Sequence, residues 1–340
     1  MNIRFPAEWE KQDGVLIAWP HPATDWNEQL NEVLDVYTEL IRTIIRFEKV
    51  LLVAPDPEAV TAHLLSEGIL LSNVIICPTF TNDTWTRDFG PITVLEENQP
   101  LLLDFGFNGW GLKFSSDLDN QVTRKLKENG FFQPEVKTIG LILEGGSIET
   151  DGCGTLLTTS RCLLSPNRNP HLNREELTSA LVNIFGLQQI IWLEHGHLEG
   201  DDTDAHIDTL VRLCPNNTIL YTDCNNPNDP HYIDIKLMEN ELKTLKSSTG
   251  VPYRLLPLPW PEARYDSSGN RLPAGYANYL LINDAVLVPT YKDRSDNEAL
   301  KTIAMAFPER EIIGINCLPL IEQHGSLHCI TMQLPSGVLK

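Results

Sequence analysis

Four stretches of this chain gather side chains able to do chemistry within otherwise apolar surroundings. The first is Trp85-Thr86-Arg87-Asp88-Phe89-Gly90-Pro91. A turn ending in Gly-Pro can hold the Asp88 carboxylate at a strand end facing a pocket, or Arg87 can take Asp88 into a structural ion pair. The second, Leu143-Glu144-Gly145-Gly146-Ser147-Ile148, puts Glu144 at the end of a strand predicted over Leu141–Leu143. The two glycines either admit a ligand close to the backbone or simply turn the chain, and a buried Glu144 would need a partner. The third is the dense polar run Gly200-Asp201-Asp202-Thr203-Asp204-Ala205-His206-Ile207-Asp208. If it is extended, Asp202, Asp204, His206 and Asp208 share one face, and His206 with Asp208 makes a base-and-carboxylate pair. The competing readings are a solvated acidic turn and, with His195 and His197, a divalent-metal centre. The fourth is His324-Gly325-Ser326-Leu327-His328-Cys329-Ile330-Thr331, where Cys329 opens an apolar strand behind a glycine-containing loop. Cys329 is either a presented thiol or a buried small residue. On an extended chain His328 points to the opposite face, which leaves His206 as the best candidate for the imidazole partner.

Together these stretches hold a Cys, a His and three carboxylates, the inventory for attack on a planar cationic carbon. Guanidinium stays protonated at neutral pH and resists water, so it needs a strong nucleophile held over its carbon. A thiolate is such a nucleophile. Two carboxylates can grip the N–H edges in forked, charge-assisted hydrogen bonds and fix the plane for attack. Trp85 or Trp110 could stack along an alkyl tail or be plain packing, and Asp202 or Asp204 could receive a terminal ammonium.

The elements that must position these groups are legible as strand-and-turn grammar. Fifteen β-branched or apolar runs are bounded by Gly, Pro, Asn or Asp, among them Val50–Ala54, Thr155–Leu164, His206–Cys214, Tyr276–Ile282 and Cys329–Leu334. Helical periodicity appears at Gln29–Phe47, Pro57–Glu67, Ser116–Asn129, Arg174–Phe185, Ile233–Ser248 and Ser295–Phe307. The interleaving predicts one mixed α/β domain over residues 1–340, and no linker divides it. About three strands per helix is what a ring of ββαβ units would produce, although periodicity alone does not separate a ring from a sandwich.

Composition narrows the partners. Of the 340 residues 26 are Lys or Arg and 46 Asp or Glu, a formal charge of −20 that would repel a phosphate backbone. Nucleic acid is therefore not an expected partner, and small cations are favoured. No apolar run approaches the ~20 residues of a membrane-spanning helix, so no membrane partner is expected, and the N-terminus has no apolar signal stretch. Seven scattered cysteines without a C-x-x-C pair point to free thiols in a reducing compartment, and hence to a cytoplasmic protein.

The ordered set of motifs resembles the agmatine deiminase and bacterial (Porphyromonas-type) peptidyl-arginine deiminase family of guanidine-modifying hydrolases. The resemblance is carried by the stretches around Asp88, Glu144, His206 and Cys329, by Asn167-Arg168-Asn169-Pro170, and by Tyr276-Ala277-Asn278. Phe5-Pro6-Ala7-Glu8-Trp9 and Trp19-Pro20 also fit. It implies a five-fold pseudosymmetric α/β propeller of ββαβ modules, the pentein type, with a central polar site. It further implies Cys329 as nucleophile, His206 as general acid/base, Asp88 and Asp208 as guanidinium clamps, and Glu144 bridging guanidinium and His206. Trp85 and Asp202 would face the substrate tail. The reaction implied is metal-independent and cofactor-free: deimination of a small cationic guanidine, with agmatine first and peptidyl-arginine or another guanidine next. Ala205, His324, Ser326 and Phe89 depart from the family's usual smaller residues and leave the tail pocket open. A metal hydrolase on His195, His197 and His206 is the rival of different mechanism, and a polyamine-binding protein the non-enzymatic one. A homo-oligomer is compatible with the sequence.

Overall fold

The computed structural model describes residues 2–340. Its helices include Leu30–Ile44, Pro57–Ser66, Val122–Glu128, Arg174–Phe185, Tyr232–Leu242 and Asp296–Ala306, each inside or within a residue of a period-3.6 segment. Local chemistry sets their ends. Asp56 accepts from the Ala59 N–H at 3.0 Å just ahead of Pro57. Asn173 and Glu176 close a capping box, and Gly186 stops the same helix at φ 67°.

The strands pair in one recurring order: two antiparallel neighbours, then a helical crossover to a third strand parallel to the second. Ile92–Glu96, Gln99–Gly106 and Val136–Ile142 follow it. So do Ile148–Thr150, Thr155–Thr159 and Gln189–Leu193. The next two sets are Val211–Cys214, Thr218–Thr222 and Arg254–Leu258, then Leu280–Ile282, Ala285–Thr290 and Glu311–Asn316. The fifth unit joins the two ends of the chain. Met332–Pro335 lies antiparallel to Gln12–Ala18, which pairs in parallel with Lys49–Ala54, and that strand with Val74–Pro78. Five such units, the fifth built from both ends of the chain, are the number that the expected five-fold propeller requires.

Burial explains the composition of the strands. Val50 to Ala54 lies between two parallel neighbours with both faces covered, so it reads as an unbroken apolar run rather than an alternating one. The predicted strands fail where the chemistry begins. Thr155–Leu164 stops at Thr159 and turns into the short helix Ser160–Leu163, and the strand near Glu144 ends at Ile142. The strands near His206, Asn278 and Cys329 start only at Val211, Leu280 and Met332. Near His206 and Cys329 local turn bonds replace the ladder: the Leu210 N–H donates to the Ile207 carbonyl at 3.0 Å, and the Ile330 N–H to the Ser326 carbonyl at 3.3 Å. Apolar, β-branched composition marks a buried surface here, and the backbone on it is a turn.

Candidate active site

The turns beyond the strand ends meet around Gly146. A Cβ on that residue would lie 2.6 Å from His206 Nδ1, 2.9 Å from Asp88 Oδ1 and 3.1 Å from Asp208 Oδ2. Only a residue without a side chain lets three polar groups from two other segments close to this distance. The Gly146 N–H donates to Asp88 Oδ1 at 3.0 Å, and the Trp110 indole N–H donates to Asp88 Oδ2 at 2.9 Å. His206 Nδ1 stands 3.6 Å from Asp88 Oδ1. Cys329 Sγ lies 3.9 Å from Asp208 Oδ2 and 3.4 Å from Asn278 Oδ1.

Glu144 sits just outside this group. It is fully buried, and Arg168 Nε bonds both of its carboxylate oxygens, at 3.0 and 2.9 Å. Donor atoms of Glu144, Cys162 and His206 lie within 4.8 Å of one another, but the Arg168 guanidinium already neutralises the carboxylate of that set. Asp88 and Cys329 open onto a cavity of about 680 Å³ whose wall also carries Trp85, Trp110 and Asp202. Trp85 packs on Trp26 with ring centroids 5.5 Å apart. It lies so close to Gly325 that a Cβ there would fall 2.1 Å from the indole.

Several buried polar atoms of the site make no hydrogen bond within the protein: Asp208 Oδ1, both ring nitrogens of His206, and Asn278 Nδ2. Buried polar groups are nearly always paired, so a cluster of unpaired ones marks a place prepared for a ligand. The protonation states fit a cationic one. Burial raises the Asp88 carboxyl to about 6, helped by the charges of Asp208 and Glu144 and opposed by His206 and the Trp110 bond. Burial works against a charge on His206, yet Asp88, Cys162 and Glu144 outweigh it and hold the imidazole well above its usual pKa. The Cys329 thiol is pushed well up by burial and then by the Asp208 and Asp88 charges. Burial opposes ionisation of Asp208, but its bond to His328 keeps it below the ordinary carboxylate range. Burial lifts Asp202 to about 6, partly offset by His324.

Cys329, His206, Asp88 and Asp208 thus come together, Glu144 stands behind them, and Trp85 and Asp202 line the cavity. Three sequence expectations change. Residues 202–208 are not extended: Asp204 and Ala205 both have φ near 69° and Ile207–Thr209 is a 3-10 turn. Asp204 leaves the expected shared face to pair with Lys113 and Arg168. Arg87 does not pair with Asp88 either. It reaches Glu8 at 3.2 Å and also Gln333. Nor do His195 and His197 join His206. Their Nδ1 atoms meet Glu241 and Asp234 of the helix Tyr232–Leu242.

His328 turns away from the thiol, but not into inert core. Its ring nitrogens lie 2.7 Å from Asp208 Oδ2 and 2.7 Å from Glu8 Oε1. Residue-by-residue reading gave no role to Trp110's hydrogen bond, Arg168, Asn278, Glu8 or Cys162. Trp110, Arg168 and Glu8 had a signal in the sequence, each sitting in a polar or aromatic stretch outside any periodic element, and Asn278 stood out as the polar residue within the predicted strand Tyr276–Ile282. Cys162 had none, being one apolar residue in a run of them.

Residues 4–335 match the family model of Porphyromonas-type peptidyl-arginine deiminases. An agmatine deiminase of Pseudomonas aeruginosa is 30% identical over 98% of this chain and 96% of its own length. Among solved structures, a Cys-to-Ser agmatine deiminase of C. jejuni with substrate bound is 42% identical. It superposes with a TM-score of 0.92 and covers 99% of this chain and 97% of that one. DDAH of Pseudomonas aeruginosa, 12% identical with a TM-score of 0.52 over 95% of this chain and all of its own, shares the fold alone. With all but a few terminal residues inside that match, the chain belongs to the Porphyromonas-type peptidyl-arginine deiminase family.

Proposed function

We propose that this chain hydrolyses agmatine to N-carbamoylputrescine and ammonia through a covalent thiouronium on Cys329. The observation that carries the reading is the cluster behind the cavity wall. An imidazole and two carboxylates, one with an unpaired oxygen, close on Gly146, the Cys329 thiol lies 3.9 Å from one of those carboxylates, and Asp88 and Cys329 face the cavity. The deiminases to which the chain is similar supply the substrate class.

In this reading Asp88 and Asp208 grip the guanidinium edges and hold its carbon over Cys329 Sγ. The thiolate adds to that carbon, protonated His206 gives its proton to the departing nitrogen, and ammonia leaves. Water then attacks, His206 takes one of its protons, and the ureido product is released as sulfur regains its electron pair. Glu144, fixed by Arg168, steadies guanidinium and imidazole from behind. Trp85 and Asp202 bound the tail, and Asp202 offers a carboxylate to the distal ammonium. Residues 1–340 act as one catalytic domain, and the seven free thiols suit a reducing cytoplasm.

The same charges that suppress the thiolate in the empty site explain how substrate forms it. A bound cation cancels Asp88 and Asp208, and the Cys329 pKa falls. At fixed pH, thiolate absorbance should rise when an inert guanidinium analogue binds; no rise would remove this step. The overall reading is tested by ammonia release across agmatine, arginine and peptides with internal or C-terminal arginine. Agmatine should be preferred, and Cys329→Ala should lose roughly 10⁴-fold or more while keeping the fold. Activity that survives Cys329→Ala would end the proposal.

A further inference from the structure

We propose that Asn278 is a further catalytic residue, its side-chain N–H donating to the oxygen that replaces ammonia in the water-dependent half of the reaction. The inference rests on the deiminase reading above.

Neighbouring groups fix which way the amide faces. Asn278 Oδ1 receives the backbone N–H of His328 at 3.0 Å and of Cys329 at 3.3 Å, two donors that only an acceptor can satisfy. The same oxygen lies 3.4 Å from Cys329 Sγ. The remaining atom, Nδ2, is therefore a donor, and it is buried without an acceptor. An unpaired buried donor is destabilising unless something later pairs with it.

The substrate does not. A guanidinium presents N–H donors on all three nitrogens and no acceptor, and the thiouronium that follows is again a cation of donors. Asp88, Asp208 and Glu144 match such ligands; the Asn278 amide donor does not. In the first half-reaction the Cys329 thiolate bonds to the guanidinium carbon, His206 passes a proton to one nitrogen, and ammonia leaves with its electron pair. In the second, water oxygen bonds to that carbon and one water proton goes to His206. The C–S bond then breaks with its electrons on sulfur as C=O forms, and the other water proton makes ammonium from ammonia. Only here does an oxygen with available lone pairs stand on the carbon bonded to Sγ. Nδ2 is bonded to the same amide carbon as the oxygen 3.4 Å from Sγ, and in our proposal the new oxygen forms beside it. A donor paired only in the second half stabilises that transition state and not the first.

Asn278→Asp keeps an acceptor and removes the donor; Asn278→Ala removes both. Rapid-quench ammonia measurement with agmatine gives the first-turnover and steady-state rates, and intact mass reports any adduct. In both variants the ratio of burst rate to steady-state rate should rise about 10²-fold. Enzyme should also accumulate at a mass increased by agmatine less ammonia. An unchanged ratio with no adduct, in variants that melt like the parent, would mean that Asn278 only holds the Cys329 turn, and would overturn the proposal. Should the parent release no ammonia from any guanidine offered, it is the deiminase reading that fails.

Discussion

Two faces of one layer of residues are built on opposite rules. Toward Gly146 and Cys329, Asp208 Oδ1, the His206 nitrogens and Asn278 Nδ2 are buried without a hydrogen bond. On the side behind, charge is saturated. Arg212 bonds Glu149 Oε2 at 3.0 Å, Glu8, and the carbonyls of Ala277 and Tyr279 at 3.0 and 2.8 Å. Arg87 joins Glu8 and Gln333. The hollow there is about 60 Å³, against about 680 Å³ in front. Asp208 lies on the border, with Oδ2 tied to His328 and Oδ1 left free. The contrast separates support from chemistry: the rear network holds the carboxylate still so that its other oxygen can wait for a ligand.

This contrast breaks most plainly at Arg212. Arg212→Met leaves Glu149 buried without its cation and Glu8 with Arg87 alone, and should cost about 3–5 kcal/mol of stability in denaturant unfolding. Activity per folded molecule should fall far less. In front, Gly146→Ala should do the reverse. Its Cβ enters the space of His206, Asp88 and Asp208, so kcat/KM should drop by about 10² or more with only a small shift in melting temperature. Equal damage to activity from both changes would erase the distinction.

Proton linkage sharpens it. Asp88, lifted to about 6, must be ionised to hold a cation. Affinity for an inert guanidinium analogue should therefore fall about tenfold per pH unit below 6, measured by calorimetry. Because the folded state binds that proton more tightly than the unfolded chain, Asp88 contributes stability below its unfolded pKa near 4 and loses it as pH rises to about 6. Asp208, held low, acts with the opposite sign: its contribution is present above the ordinary carboxylate pKa and is lost as pH falls through its depressed one. The smallest effect belongs to Trp110→Phe, which removes one hydrogen bond to Asp88 and keeps the ring. KM for agmatine should rise roughly tenfold with kcat nearly unchanged.

Much of the scaffold was readable because it depends on local rules. Helix Arg174–Phe185 is bounded by a capping box and a left-handed Gly186, and the buried run at Val50–Ala54 betrays a strand covered on both faces. Local pattern failed at 202–208, where the charges of Arg168 and Lys113 draw Asp204 out of an extended path. It failed again at Arg87, whose partner Glu8 lies 79 residues away.

From the order of its amino acids the chain determined its helices, its apolar strands and the identities of its reactive groups, since capping, periodicity and functional-group chemistry act over a few neighbouring residues. Which atoms remain unpaired was decided only by tertiary structure. Asp208 has one oxygen bound and one free because His328 arrives from 120 residues further along the chain. Three polar groups share the space over Gly146 because turns from separate modules meet there. Coulomb forces and hydrogen bonds depend on distance in space, and a sequence specifies that distance only by folding.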